Sequence, residues 1–314
     1  MRFCRGGARR GRSGIPSEAR RVPRKKKLII EIRANEYEMR DANPNVPWAA
    51  AEIAEDAVRC REVGASIIHF HARKSDGAPA FGSEAYREAV AAIRERSDIL
   101  IHTTLGGPDR VASAEDRIAH IVKLSEQGYR PDFVPLDMGT SNIDTFDTAR
   151  RSFRSDEAIY VNTTRTLKQF AETLARLGIK PYLQIWNVPM LRWVAAFVMA
   201  GFVQPPLFMN FTMSSDRAFL AVHPGTAKGL NAYLDFLPES VPIEWGATLA
   251  GDDIAGLAEM IIDRGGHISV GLGDYAYGGL KNWQVADRIV RLATKLGCEI
   301  ATPADVKRML AMSA

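Results

Sequence analysis

His69 and His71 stand two residues apart in the run Ile67-Ile68-His69-Phe70-His71-Ala72-Arg73. In an extended strand alternate side chains share a face, so both imidazoles project from one side while Ile68 and Phe70 project from the other. Two imidazoles side by side suit one divalent metal of the zinc type, held through nitrogen. The plainer alternative is a pair of buried histidines satisfied by neighbours.

Other polar groups recur where apolar runs end. Thr103-Thr104-Leu105-Gly106-Gly107 offers two hydroxyls and then a backbone that a ligand can approach closely. Asp137 opens a similar run, Asp137-Met138-Gly139-Thr140-Ser141-Asn142, and Gln184, Asn187, Asn210 and Thr212 follow later runs. Near the end, Gly271-Leu272-Gly273-Asp274 pairs glycines, which let a ligand or metal come near, with a carboxylate fit for general-base work or for an acid linked to the metal. Asn35-Glu36-Tyr37-Glu38 places two acids after the first apolar run. His102, His120, His223 and His267 lack such company and read as structural.

These groups need strands to carry them. Apolar runs at 28–34, 65–72, 98–104, 132–137, 182–187, 207–212, 242–247 and 267–272 predict eight strands. Helical patterns at 49–63, 83–96, 115–127, 164–177, 189–200, 252–264 and 283–297 fall between or after them, and 303–312 predicts a terminal helix. Ser83 reads as an N-cap, and 158–161 as a connection. Eight strands alternating with helices predict an α/β chain that folds as a single (β/α)8 barrel. An open doubly wound sheet is the alternative, but no Gly-x-Gly-x-x-Gly follows the first strand. In a barrel the polar strand ends converge on one mouth.

The chain has 314 residues and a net charge of +4, but the charge is unevenly spread. Residues 1–27 carry +10, which leaves −6 for the remainder. The expected organisation is a disordered basic tail over 1–26 and a catalytic barrel over 27–314. An acidic body argues against nucleic-acid binding. No apolar run reaches the ~18 residues of a membrane span. Three scattered cysteines, Cys4, Cys60 and Cys298, suit the cytoplasm.

Several stretches together resemble the β-keto acid cleavage enzyme family: 43–48 (NPNVPW), 52–73 (EIAEDAVRCREVGASIIHFHAR), 103–110 (TTLGGPDR), 135–142 (PLDMGTSN), 265–274 (GGHISVGLGD) and 301–310 (ATPADVKRML). The resemblance implies a barrel enzyme, usually a homotetramer, with zinc. It would condense a β-keto acid with acetyl-CoA to give acetoacetate and a new acyl-CoA. It implies His69 and His71 as metal ligands and Asp274, Glu36 and Thr104 as catalytic residues, with Glu38 the alternative to Glu36. Arg73, Gly106, Gly107, Asp137, Gln184 and Asn210 are the expected substrate-binding residues. Two acids at the mouth favour an amino-bearing or polar keto acid.

The sequence also departs from the family pattern. Gly273 stands where the family has a glutamate as third metal ligand, Ser269 where it has an arginine, and Pro135 where it has a threonine. The metal is then held by two histidines with water and substrate, or Asp274 or Glu36 moves in. Alternatives to the family reaction are another metal-dependent C–C lyase or hydrolase that does not use CoA, and a non-catalytic barrel that binds a small acid.

Overall fold

The computed structural model describes residues 26–106, 112–215, 220–239 and 241–313. The expected tail therefore lies almost wholly outside the described residues, as does Gly107. Eight parallel strands form the barrel: β1 (Ile30–Arg33), β2 (Ile67–Phe70), β3 (Leu100–Thr103), β4 (Phe133–Asp137), β5 (Lys180–Ile185), β6 (Leu207–Ser214), β7 (Ile243–Ala250) and β8 (His267–Val270). Each pairs with the next in sequence, and β8 pairs with β1 through Ile30↔Ile268, which closes the ring. The (β/α)8 expectation holds, and the open sheet is excluded.

The helices are α1 (Ala50–Val63), α2 (Ser83–Arg96), α3 (Ala114–Glu126), α4 (Thr164–Leu177), α5 (Val188–Met199), α6 (Ala227–Leu234), α7 (Ala255–Asp263), α8 (Asn282–Lys295) and α9 (Pro303–Met309). One helix, α6, is missing from the sequence expectation, because only eight residues with two apolar turns carry it. The N-cap of α2 is Gly82, so Ser83 is its first helical residue rather than its cap. Residues 158–161 do more than connect. Ile159–Tyr160 pairs antiparallel with Ser141–Asn142, and Phe146–Asp147 pairs with Ser152–Phe153, so a small hairpin insert follows β4. No helix among the described residues is long and apolar enough to cross a membrane.

Alternation divides the core in two. Ile68 and Phe70 join the layer between barrel and helices, with Ala57, Cys60, Tyr86 and Ile93. Ile29, Ile67, Leu100, Phe133, Tyr182 and Phe208 fill the barrel floor, against Val306 and Leu310 of the C-terminal segment. Cys60 and Cys298 are buried thiols that form no disulfide among the described residues.

Above the floor sits a buried carboxylate, Glu31. It meets His102 Nδ1 at 2.7 Å and accepts hydrogen bonds from the Tyr182 and Ser269 hydroxyls. Burial opposes its ionisation, but the hydrogen bond and charge of His102, with Arg33 behind them, hold its pKa down to about 2. Glu31→Ala would strand these three buried groups without an acceptor. At ~1–3 kcal/mol per orphaned group, a loss of at least about 3 kcal/mol is expected. A urea titration of folding measures it directly.

Candidate active site

The C-terminal ends of β1, β2 and β8 bring four sequence-predicted residues together, Glu36, His69, His71 and Asp274. Glu36 leans in from the turn after β1, so that its Oε1 lies 3.0 Å from His69 Nε2 and its Oε2 lies 2.8 Å from His71 Nε2. Both imidazoles are buried, with Phe70 between them turned to the outer layer. His69 Nδ1 faces the His102 carbonyl at 3.1 Å, and the His71 amide donates to Asn35 Oδ1 at 2.9 Å, which fixes ring and strand.

These three residues could hold a metal. One ligand atom from each lies within 4.8 Å of the others. Glu36 Oε1 also carries an ion pair from the Arg33 guanidinium, although no contact it makes among the described residues has the alignment of a hydrogen bond. Burial lowers the His69 pKa to about 4 against the pull of Glu36, so the ring is neutral and its nitrogen available at pH 7. Burial alone would raise the Glu36 carboxyl, but Arg33, His71 and His69 outweigh it and keep Glu36 ionised. One carboxylate and two imidazoles form a donor set for a divalent cation with open positions left for substrate.

Glu36, not Glu38, is thus the acid at the site. Glu38 is exposed on the loop.

Asp274 lies beside this group but outside it. Arg33 Nε donates to its Oδ1 at 2.9 Å, and the Thr248 hydroxyl donates to its Oδ2 at 2.9 Å. Burial raises the Asp274 pKa to about 7, with Arg33 pulling it down and Glu36 pushing it up. That value suits a general base near neutral pH.

The glycines around β8 do not open space for a ligand, as the sequence suggests. They make room for the end of β1. A Cβ on Gly271 would stand 2.1 Å from the Arg33 carbonyl oxygen, and one on Gly273 would stand 2.6 Å from Glu36 Cγ.

The substrate-side expectations are placed unevenly. Asn210 is fully buried in β6, and neither its amide oxygen nor its amide nitrogen finds a hydrogen-bond partner among the described residues. Gln184 is buried and donates from Nε2 to the Thr212 hydroxyl. Asp137 accepts from the Tyr160 hydroxyl at 3.0 Å, and burial raises its pKa. Thr104 is buried and accepts from the Gly106 amide at 3.1 Å, while Gly106 itself packs against the Tyr37 hydroxyl. Arg73 is buried shortly after the end of β2. Its guanidinium donates to the carbonyls of Gly77, Glu36 and Glu38 at 2.6, 2.6 and 2.9 Å, which ties down the loop that carries Glu36. Two clefts of about 410 Å³ each open beside the ends of β4 and β5, meeting at Thr140 and Asn187. Neither is lined by the Glu36–His69–His71 group.

The histidines set aside as structural have protein partners. His102 meets Glu31, His120 Nε2 faces the Thr104 carbonyl at 3.0 Å, and His267 bridges Glu244 and the Ile29 amide. Arg33 is the residue that sequence reasoning missed. A signal exists, because Glu31 and Arg33 are charged residues two apart in an apolar strand, the same alternation that singles out His69 and His71.

Residues 27–312 match the family model described as beta-keto acid cleavage enzyme. The 3-keto-5-aminohexanoate cleavage enzyme of Fusobacterium nucleatum subsp. nucleatum is 32% identical over 295 residues, covering 91% of this chain and 98% of that protein. Its namesake from Acetoanaerobium sticklandii is 30% identical over 299 residues, covering 91% and 99%. The 3-dehydrocarnitine:acetyl-CoA trimethylamine transferase of Rhizobium meliloti is 25% identical over 295 residues, covering 86% and 91%. Among solved structures, the apo structure of ObcA superposes with a TM-score of 0.70 at 16% identity, covering 86% of this chain and 66% of that one. That likeness is one of fold.

Proposed function

The chain belongs to the beta-keto acid cleavage enzyme family, and we propose that it condenses a β-keto acid with acetyl-CoA to give acetoacetate and a new acyl-CoA. The observation that carries the proposal is the Glu36–His69–His71 group set beside an independently held carboxylate, Asp274, in one barrel mouth. Relatives named as acetyl-CoA transferases support the co-substrate.

A divalent metal, zinc by ligand type, would be held by Glu36, His69 and His71 and would supply a Lewis acid for the keto acid's carbonyl and carboxylate oxygens. Asp274 takes a proton from carbon, either from acetyl-CoA or from the keto acid. Arg33 and Thr248 each hold one of its oxygens, so the carboxylate is aimed before substrate arrives. The Thr104 hydroxyl and the amide of Asn210, which has no hydrogen-bond partner among the described residues, would meet oxygen charge as one carbon–carbon bond forms and another breaks. Gln184, Asp137, Gly106 and Gly107 are proposed to bind the keto acid's far end; Gly107 lies outside the described residues. In this reading the CoA portion of acetyl-CoA would lie along the clefts at Thr140 and Asn187, with its acetyl end reaching toward Asp274. Arg73 acts on the substrate through Glu36, by holding its loop.

The decisive experiment incubates metal-replete protein with acetyl-CoA and a panel of neutral, cationic and anionic β-keto acids, and measures acetoacetate and acyl-CoA. Turnover of one panel member that needs acetyl-CoA is expected. Turnover without CoA, or none across the panel, overturns the proposal. A cytoplasmic homotetramer, with residues 1–26 a tail on a 27–314 catalytic domain, completes it, and the mass of the particle in solution tests the assembly.

A further inference from the structure

We propose that positions 36 and 273 compete for one place beside the two histidines, and that the bare Cα of Gly273 is what allows the first-strand turn to supply the carboxylate ligand. This rests on the metal-holding part of the function proposed above, and not on the acyl transfer.

Four observations carry it. Glu36 has a φ of +38°, a left-handed conformation that costs a residue with a side chain and persists only where the surroundings impose it. That backbone turn is what swings the carboxylate inward from the end of β1. The space it enters belongs geometrically to position 273. A Cβ there would lie 2.6 Å from Glu36 Cγ, 2.9 Å from Glu36 N and 3.1 Å from the Arg33 carbonyl oxygen. Two of these three atoms are backbone, so a rotamer change in Glu36 cannot relieve the overlap and the turn itself must move. The turn is pinned from both sides. The Gly273 amide donates to the Arg33 carbonyl at 3.0 Å, and Arg73 donates to the Glu36 carbonyl at 2.6 Å. Finally, the Arg33 guanidinium touches both Glu36 Oε1 and Asp274 Oδ1, so it neutralises two acids that would otherwise repel each other across this gap. A side chain that starts at 273 sets out beside Glu36 Cγ and, if long enough, delivers its carboxylate to the same imidazoles.

Metal binding, rather than turnover, tests this. Apo protein is prepared with a chelator, and zinc affinity is measured by competition with a chromophoric chelator. The visible spectrum of the cobalt-substituted protein reports the ligand field. Glu36→Ala is expected to weaken zinc by more than about 10-fold, the lower end of what even a supporting-residue change costs. Gly273→Ala, which leaves every ligand in the sequence, is expected to weaken it by a similar factor because the turn is pushed away. The double variant Glu36→Ala/Gly273→Glu is expected to regain affinity and a wild-type-like cobalt spectrum. Circular dichroism confirms that each variant is folded. The proposal is overturned if Gly273→Ala binds zinc as wild type does, or if the double variant binds no better than Glu36→Ala. Failure of the wild type itself to bind zinc removes the metal reading along with it. Zinc binding with the expected pattern but no acyl transfer leaves this inference standing and sinks the reaction alone.

Discussion

Asp274→Asn is expected to lower kcat by roughly 100- to 10,000-fold while leaving metal content unchanged. The amide keeps the shape of the carboxyl, and one oxygen remains for Arg33 or Thr248, but it cannot take a proton at neutral pH. Asp274 is not among the three residues whose atoms converge for a metal, so the variant separates base from ligand. The pH dependence gives a second, independent readout. Asp274 works as a base only when ionised, so the wild-type rate falls as pH falls through its pKa. In the metal-free site burial places that pKa at about 7. A cation held by Glu36 and the histidines favours the ionised form and moves the acid limb below that value. The variant's small residual rate should lack the limb. A variant that keeps both rate and limb would remove Asp274 from the reaction.

The barrel was legible because its signal repeats. Eight apolar runs alternate with helical patterns, and each strand needs only a few residues of consistent alternation to be seen. The histidine pair was legible for the same local reason, since strand geometry alone puts His69 and His71 on one face. What joins them was not. Glu36 reaches the histidines only because β1 lies next to β2 and because the chain turns left-handed at one residue, and neither fact has a local signature. Gly273 illustrates the limit. In sequence it reads as room for a ligand, or as a lost ligand, whereas in space it is room for another part of the same chain. Arg73 shows a role that local sequence does not announce. Its guanidinium donates to three loop carbonyls and so braces the turn that carries Glu36. Hydrogen-bond destinations over 35 to 37 residues depend on tertiary approach, which composition and periodicity do not encode.

The double variant His69→Ala/His71→Ala should take bound metal from near one ion per chain to near zero, with acetyl-CoA-dependent turnover falling to background. The two changes leave Glu36 facing Arg33 alone, and a single carboxylate already paired with a guanidinium is a poor site for a divalent cation. Some loss of stability is expected as well, because both imidazoles are buried and their removal leaves a cavity. Lost activity by itself would therefore be ambiguous. The control is His102→Gln, which disturbs the buried pair with Glu31 directly beneath His69 without removing any of the three converging ligand atoms. It should cost stability yet keep its metal. Elemental analysis of the three proteins side by side separates the cases. If the double variant retains a stoichiometric ion, the histidines are structural and the metal, if any, lies elsewhere. If His102→Gln loses its ion to the same extent as the double variant, the effect belongs to the fold of the barrel interior and not to ligation.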